Sequence, residues 1–134
     1  MANYENLPIY KAAYELVLYV EQITVNFSRN HRYTLGSDLR DLSRKAARLI
    51  VRANSLRERE AELMELRATL EECKLVARLC LDVKAFHNMN SFETTVRKVV
   101  EISRQNEGWL KSVPGMTIVR RLPPRGIIVQ RGLA

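Results

Sequence analysis

The sequence predicts an all-α protein: an antiparallel up-down four-helix bundle with a basic extended C-terminal tail. Three observations predict it. Four stretches carry apolar residues in alternating steps of four and three, a spacing that holds one helix face against a partner. Short polar segments separate these stretches, and short connections between amphipathic helices favour antiparallel neighbours. Beyond Gly115 the helical period stops, and β-branched residues and arginines take over. The expected division is a bundle over residues 1–114 and a tail over residues 115–134.

The first helix is expected from about Leu7 to Ser28, with Ile9, Ala13, Leu16, Val20, Ile23 and Phe27 on its seam. Pro8 suits a first turn, where its missing N–H has no partner to lose. Tyr10, Tyr14, Leu18 and Val25 lie off that seam. A second apolar flank belongs either deep in a bundle or against another subunit. Arg29 to Tyr33 reads as a loop, and Thr34 as the N-cap of a second helix through Leu35, Leu39, Leu42, Ala46, Leu49, Ala53 and Leu56.

No Gly or Pro marks the end of that second helix, yet Ser55 followed by Glu58 fits a capping box. The alternative is one helix from Leu35 to Phe86, roughly 75–80 Å long and too long for a compact chain of this size. A short turn near Asn54 and Ser55 is therefore expected. The third helix places Leu63, Leu66, Leu70, Cys73, Ala77 and Cys80 on its seam. Its first half is acid-rich, and its second half is apolar on several sides through Leu75, Val76, Leu79, Leu81 and Val83. His87 to Asn90 reads as a turn, with Asn90 and Glu93 as a further capping box. The fourth helix carries Phe92, Val96, Val99, Ser103, Asn106 and Leu110 until Val113-Pro114-Gly115 ends it. In the tail, Met116–Leu122 and Ile127–Arg131 flank Pro123-Pro124-Arg125-Gly126; they pair as an irregular hairpin or lie extended on another chain.

The net charge of +7 draws the protein toward polyanions, and the tail supplies +4 of it through Arg120, Arg121, Arg125 and Arg131. Arg40, Arg44, Arg48 and Arg52 stand four apart on the second helix. Each step advances about 40° around the axis, so they form a slowly winding strip. From Ser43 to Arg57 there are five basic residues and no acid, which leaves no local i,i+4 salt bridging. Arg40, Arg44, Lys45, Arg48, Arg52 and Arg57, with the four tail arginines, are the candidate nucleic-acid-binding residues; the plainer alternative is a solvated bundle face. Tyr14, Leu18, Leu75 and Leu79 are the candidate oligomer or partner interface.

Nothing points to catalysis. His31 and His87 fall in predicted turns and read as solvent-exposed loop histidines. Cys73 and Cys80 sit seven apart on one helix, too far to bridge and without zinc-ligand spacing, so they read as reduced core thiols. The carboxylates from Glu58 to Glu72, interleaved with Arg57, Arg59 and Arg67, read as a salt-bridged solvated face. Tyr33 beside Arg32, and Trp109 near Lys111, are the aromatics best placed to stack on bases, whereas Tyr10, Tyr14 and Tyr19 read as core or interface. The expectation is a non-enzyme without metal or cofactor. With no secretory signal and no apolar run of membrane-spanning length, it is also expected to be cytoplasmic and without a membrane partner.

Four stretches carry a family resemblance. They are Leu7-Pro8-Ile9-Tyr10-Lys11-Ala12, Phe27-Ser28-Arg29 leading to Tyr33-Thr34-Leu35-Gly36, Arg52-Ala53-Asn54-Ser55, and Gly108-Trp109-Leu110-Lys111-Ser112. In this order and spacing, over about residues 7–112, they resemble the accessory variability determinant (Avd) proteins of diversity-generating retroelements. Those in turn are similar to four-helix-bundle proteins encoded in intervening sequences of bacterial 23S rRNA genes. The resemblance implies a basic bundle that assembles as a barrel-like homopentamer. It also implies binding to the retroelement's reverse transcriptase and template-repeat RNA, with cDNA as a further candidate, in support of mutagenic cDNA synthesis. The alternatives are an intervening-sequence bundle protein, or a homo-oligomeric scaffold without a polymerase partner.

Overall fold

A computed structural model describes residues 3–114. These residues are all-helical, with no strand among them. A single 3-10 turn, Tyr4–Asn6, leads into four long helices and one short one: α1 (Pro8–Val25), α2 (Arg29–Arg32), α3 (Leu35–Ser55), α4 (Glu60–Asp82) and α5 (Met89–Lys111). The long helices pack in chain order, α1 on α3, α3 on α4 and α4 on α5, and α5 closes back on α1. The helix pairs α1/α4 and α3/α5 therefore stand on the diagonals. The two β-prone segments expected after Gly115 lie outside the described residues.

The core follows the apolar seams with small shifts. In α1 the buried positions are Ile9, Ala13, Leu16 and Val20 as expected, but Thr24 replaces Ile23. In α5 Thr95 and Ile102 are buried, while Val96 and Ser103 are only partly so. A strict seven-residue seam drifts by about 20° per heptad on an ordinary α-helix, so the buried line moves to the adjacent residue. Each buried threonine satisfies its own hydroxyl by donating to the carbonyl four residues back: Thr24 to Val20 at 2.7 Å, Thr69 to Glu65 and Thr95 to Ser91 at 2.8 Å. One polar contact joins two helices inside the core. Asn106 Nδ2 donates to the Leu63 carbonyl at 3.0 Å.

The ends of the helices depart from the expected caps. Ser55 is the last residue of α3 and donates to the Arg52 carbonyl at 2.8 Å, so it does not open α4 with Glu58. Arg59 occupies that N-cap position, with no side-chain cap. At α5 the cap is Asn88, not Asn90: its Oδ1 accepts from the Ser91 N–H at 2.8 Å. Thr34 does stand at the N-cap of α3, but its hydroxyl is turned back to the Asn30 carbonyl at 3.0 Å. The segment expected as a loop at Arg29 is the single helical turn α2, closed by His31 and Arg32 N–H bonds to the Ser28 carbonyl.

Helix α4 stops at Asp82 through a left-handed residue, Lys84, at φ 64°. The Ala85 N–H returns to the Cys80 carbonyl at 2.8 Å, which satisfies one of the orphan carbonyls of the last turn. Glycine is the usual occupant of such a position because a Cβ crowds the backbone there. Lys84→Gly is expected to stabilise the fold by roughly 0.5–1 kcal/mol, read as a rise in the chemical-denaturation midpoint at unchanged m-value. A fall would mean that the Lys84 side chain makes a contact worth more than the strain.

Candidate nucleic-acid interface

Helix α3 buries Gly36, Leu39, Ser43, Ala46, Leu49, Ile50 and Ala53, which turns its arginines toward solvent. They do not form one uniform strip. Arg40 is half-buried and donates through Nη2 to the Arg32 carbonyl at 3.2 Å, tying α3 to α2. Arg44 is held by Glu21 of α1, and its other amino group lies 3.5 Å from Asp41. Lys45 crosses to α4 and meets Glu65 at 2.7 Å. The lack of acids between Ser43 and Arg57 had implied an unneutralised run, but neighbouring helices supply the acids. Arg48, Arg52 and Arg57 are exposed and make no ion pair among the described residues. Arg120, Arg121, Arg125 and Arg131 lie outside the described residues.

Arg48 and Arg52 face a groove between α1 and α3. Its α1 wall is Tyr10, Tyr14 and Val17; Ala47 and Val51 line it from α3. Arg44 also lines it, and no acidic residue does. Tyr10 and Tyr14 stack with ring centroids 6.0 Å apart and planes inclined by 29°, and Tyr4 meets Tyr10 edge-on at 5.0 Å. Burial, followed by the neighbouring Tyr4 and Tyr14 hydroxyls and Glu5, pushes the Tyr10 hydroxyl above its usual range. Tyr10 and Tyr14, expected as core or interface residues, are half-buried and exposed respectively, and both line this groove. The groove could have been found from Tyr10 and Tyr14 being one turn apart on the flank of α1, had α3 been known to lie on that side.

The two aromatics expected to stack are placed differently. Tyr33 is exposed, with the Arg32 guanidinium 5.9 Å from its ring centre. Trp109 is half-buried against the core at the α3–α4 end, and Arg59 covers its ring at 5.5 Å. The interleaved arginines do not neutralise the acid-rich half of α4: among the described residues only Glu65 and Glu71 of its carboxylates are in ion pairs, both with lysines. Glu65 pairs with Lys45, Glu71 with Lys74 at 2.8 Å, and Arg67 reaches α5 to grip Glu107 with two 2.8 Å bonds. That grip raises the Arg67 guanidinium further above its ordinary value, against a smaller opposing effect of burial.

Tyr14, Leu18 and Val25 on α1 are 50, 52 and 63% exposed; Leu75 and Leu79 on α4 and Val83 just after it are 59, 42 and 43% exposed. These two apolar faces sit on diagonal helices, on opposite sides of the bundle. Cys73 and Cys80 are fully buried and free, and burial first, then Glu72 and Asp38 respectively, pushes their thiols up to about 12 and about 11. Thiols in such surroundings are inert. His31 sits within α2 and is half-buried, not in an exposed loop. His87 is exposed, and its Nε2 lies 2.8 Å from the Asn26 carbonyl. Among the described residues no group of three or more His, Cys, Asp or Glu side chains is arranged to hold a metal ion, and no helix is long and apolar enough to cross a membrane.

A family model described as bAvd-like matches residues 7–113, which span all five helices. No curated protein matches the chain.

Proposed function

The chain belongs to the bAvd-like family, and from that membership we propose that it is the non-catalytic accessory protein of a diversity-generating retroelement, binding the reverse transcriptase and template RNA in support of mutagenic cDNA synthesis. The observation that carries this reading is the family match over the whole helical body. The exposed, acid-free arginines of α3 add the electrostatic means of holding a polyanion.

The architecture we propose is the up-down antiparallel bundle over residues 1–114. Cross-helix pairs support it: Glu21, near the C-terminal end of α1, meets Arg44 of α3, and Glu15, in its middle, meets Lys98 of α5. Between α4 and α5, Arg67 pairs with Glu107 toward one end, and Phe86, in the connection after α4, meets Phe92 in the first turn of α5 at the other. Residue numbers rise on one helix as they fall on its neighbour, which is how antiparallel helices pair. The two exposed apolar faces support a homo-oligomer, five-fold by family resemblance. Unlike faces on opposite sides associate head to tail, and such contacts close into a ring when the rotation permits. Covering those side chains at roughly 25 cal/mol per Å² of apolar surface yields several kcal/mol per contact.

The test is reconstitution. The full chain is expected to co-purify with the reverse transcriptase encoded beside it, to run as an oligomer in light scattering, and to be required for cDNA synthesis on the template RNA. A chain ending at Gly115 is expected to keep its helical content and cooperative melting, because the packed helices end before Pro114. It is expected to lose part of the polymerase–RNA affinity through the removal of four arginines. Full cDNA synthesis in the absence of the protein would refute the accessory role.

A further inference from the structure

We propose that the α1–α3 groove is a binding site for single-stranded nucleic acid, in which Arg48 and Arg52 hold successive phosphates while a base stacks on Tyr14. This rests on the polyanion-binding reading above and narrows it to one surface and one kind of strand.

Charge and shape select the occupant. The lining carries three arginines and no carboxylate, which disfavours a basic or neutral segment. Arg44 is already neutralised by Glu21 at one side of the groove, leaving Arg48 and Arg52 as cations without an ion-pair partner among the described residues. They stand one helical turn apart, ~6 Å along the axis, a step comparable to that between phosphates of an extended strand. Opposite them runs an aromatic ladder of the same pitch, since Tyr10 and Tyr14 are also one turn apart and already stacked at 6.0 Å. Tyr10 is supported from behind by Tyr4 and is half-buried, so its ring is pre-positioned. Tyr14 is half exposed and ends the stack with a free ring surface. A basic groove paired with aromatic faces is the arrangement that holds unpaired bases, because every base has a π-face. A duplex keeps its bases stacked on each other, and an acidic peptide gains nothing from a tyrosine ladder.

Tyr14 is at the edge of the α1 apolar face and lines this groove, whereas Leu18 and Val25 do not; the oligomer contact rests on those two, and the experiment has to separate it from the groove. The full chain would be titrated with a fluorescein-labelled 12-nucleotide single-stranded RNA, the same sequence as a duplex, and a poly-glutamate peptide, over a salt series. The wild type is expected to prefer the single strand. Tyr14→Leu, which keeps an apolar side chain at the same place, is expected to weaken single-strand binding roughly 5- to 150-fold, the range for loss of one stacked base. Its duplex binding, salt slope and light-scattering mass are expected to stay as in the wild type. Arg48→Gln with Arg52→Gln is expected to flatten the log–log salt slope by about 1.4, at about 0.7 per single-strand phosphate. Arg97→Gln on α5 serves as the charge control. An RNA bearing 5-iodouracil is expected to crosslink to the peptide containing Tyr14.

Unchanged single-strand affinity in Tyr14→Leu, a fall in its oligomer mass, or equal wild-type affinity for the single strand, duplex and poly-glutamate would each overturn the groove. If the wild type still bound RNA with a steep salt slope in those cases, the polyanion reading would survive alone. No wild-type binding to any probe would remove both.

Discussion

Phe27→Ala is expected to lower the free energy of unfolding by ~3–5 kcal/mol, the range for emptying a buried phenylalanine site. Phe27 lies just past α1, is only 1% exposed, and closes one end of the core. Its ring meets Phe86 edge-on at 5.5 Å, and Phe86 in turn meets Phe92 at 6.0 Å, so two connections and the first turn of α5 share one aromatic cluster. The surroundings cannot easily collapse into the space. At Gly36 an added Cβ would stand 3.0 Å from the His31 carbonyl and 3.2 Å from Phe27 Cδ2, which shows how closely α3 is already seated on this corner. Since a domain of this kind is marginally stable by about 5–15 kcal/mol, such a loss is a large share of the total. Urea unfolding followed by circular dichroism measures it, with Phe27→Leu as a partner that retains much of the volume. A cost below about 1 kcal/mol would show that this end of the bundle repacks freely, contrary to the observed contacts.

Asn106→Asp is expected to cost several kcal/mol at neutral pH and much less in acid. Asn106 is completely buried; its Nδ2 donates to the Leu63 carbonyl, and its Oδ1 has no hydrogen-bond partner. An ionised carboxylate there has no donor for Leu63 and presents a negative charge to a carbonyl oxygen. Arg67, one turn along α4, is already gripped by Glu107 and is not free to neutralise it. Leaving a buried charge unpaired costs ~3–5 kcal/mol. Desolvation raises the folded-state pKa of the new acid above its unfolded value of about 3.9. The sign follows: below the unfolded pKa both states hold the proton and the penalty is small, because a protonated acid can donate to Leu63. The penalty grows as pH rises through the folded pKa and is complete above it. Melting temperatures of variant and wild type should converge toward pH 4 and separate toward pH 7. A gap independent of pH would mean that the acid has the same pKa folded and unfolded, as when its charge finds a cation or water inside the bundle.

The helices and most of the core were legible because their cause is local. Leu16, Leu39, Leu66, Leu70 and Val99 are buried where the four-and-three spacing placed them, since an amphipathic helix has few other ways to hide such a stripe. Where the spacing was extended too rigidly, at Ile23 and Ser103, the ordinary helical twist moved burial to Thr24 and Ile102. Caps were less legible. Ser55 and Asn90 had suitable chemistry, but Ser55 bonded within its own helix, while at α5 Asn88, two residues before Asn90, captured the free N–H first. The end of α4 at Lys84 carried no glycine to announce it.

The sequence by itself determined the number of long helices, their buried faces, the excess of positive charge and the family. Only the tertiary structure decided which cations are free. Charge counted along the chain sees neighbours three or four residues away, whereas Arg44 and Glu21 are separated by 23 residues, and Lys45 and Glu65 by 20. Coulomb attraction depends on distance in space, so packing α3 between α1 and α4 neutralised two members of the basic run and left Arg48, Arg52 and Arg57 unpaired among the described residues. The same packing set the arginines of α3 beside Tyr10 and Tyr14, a juxtaposition that no periodicity within either helix contains.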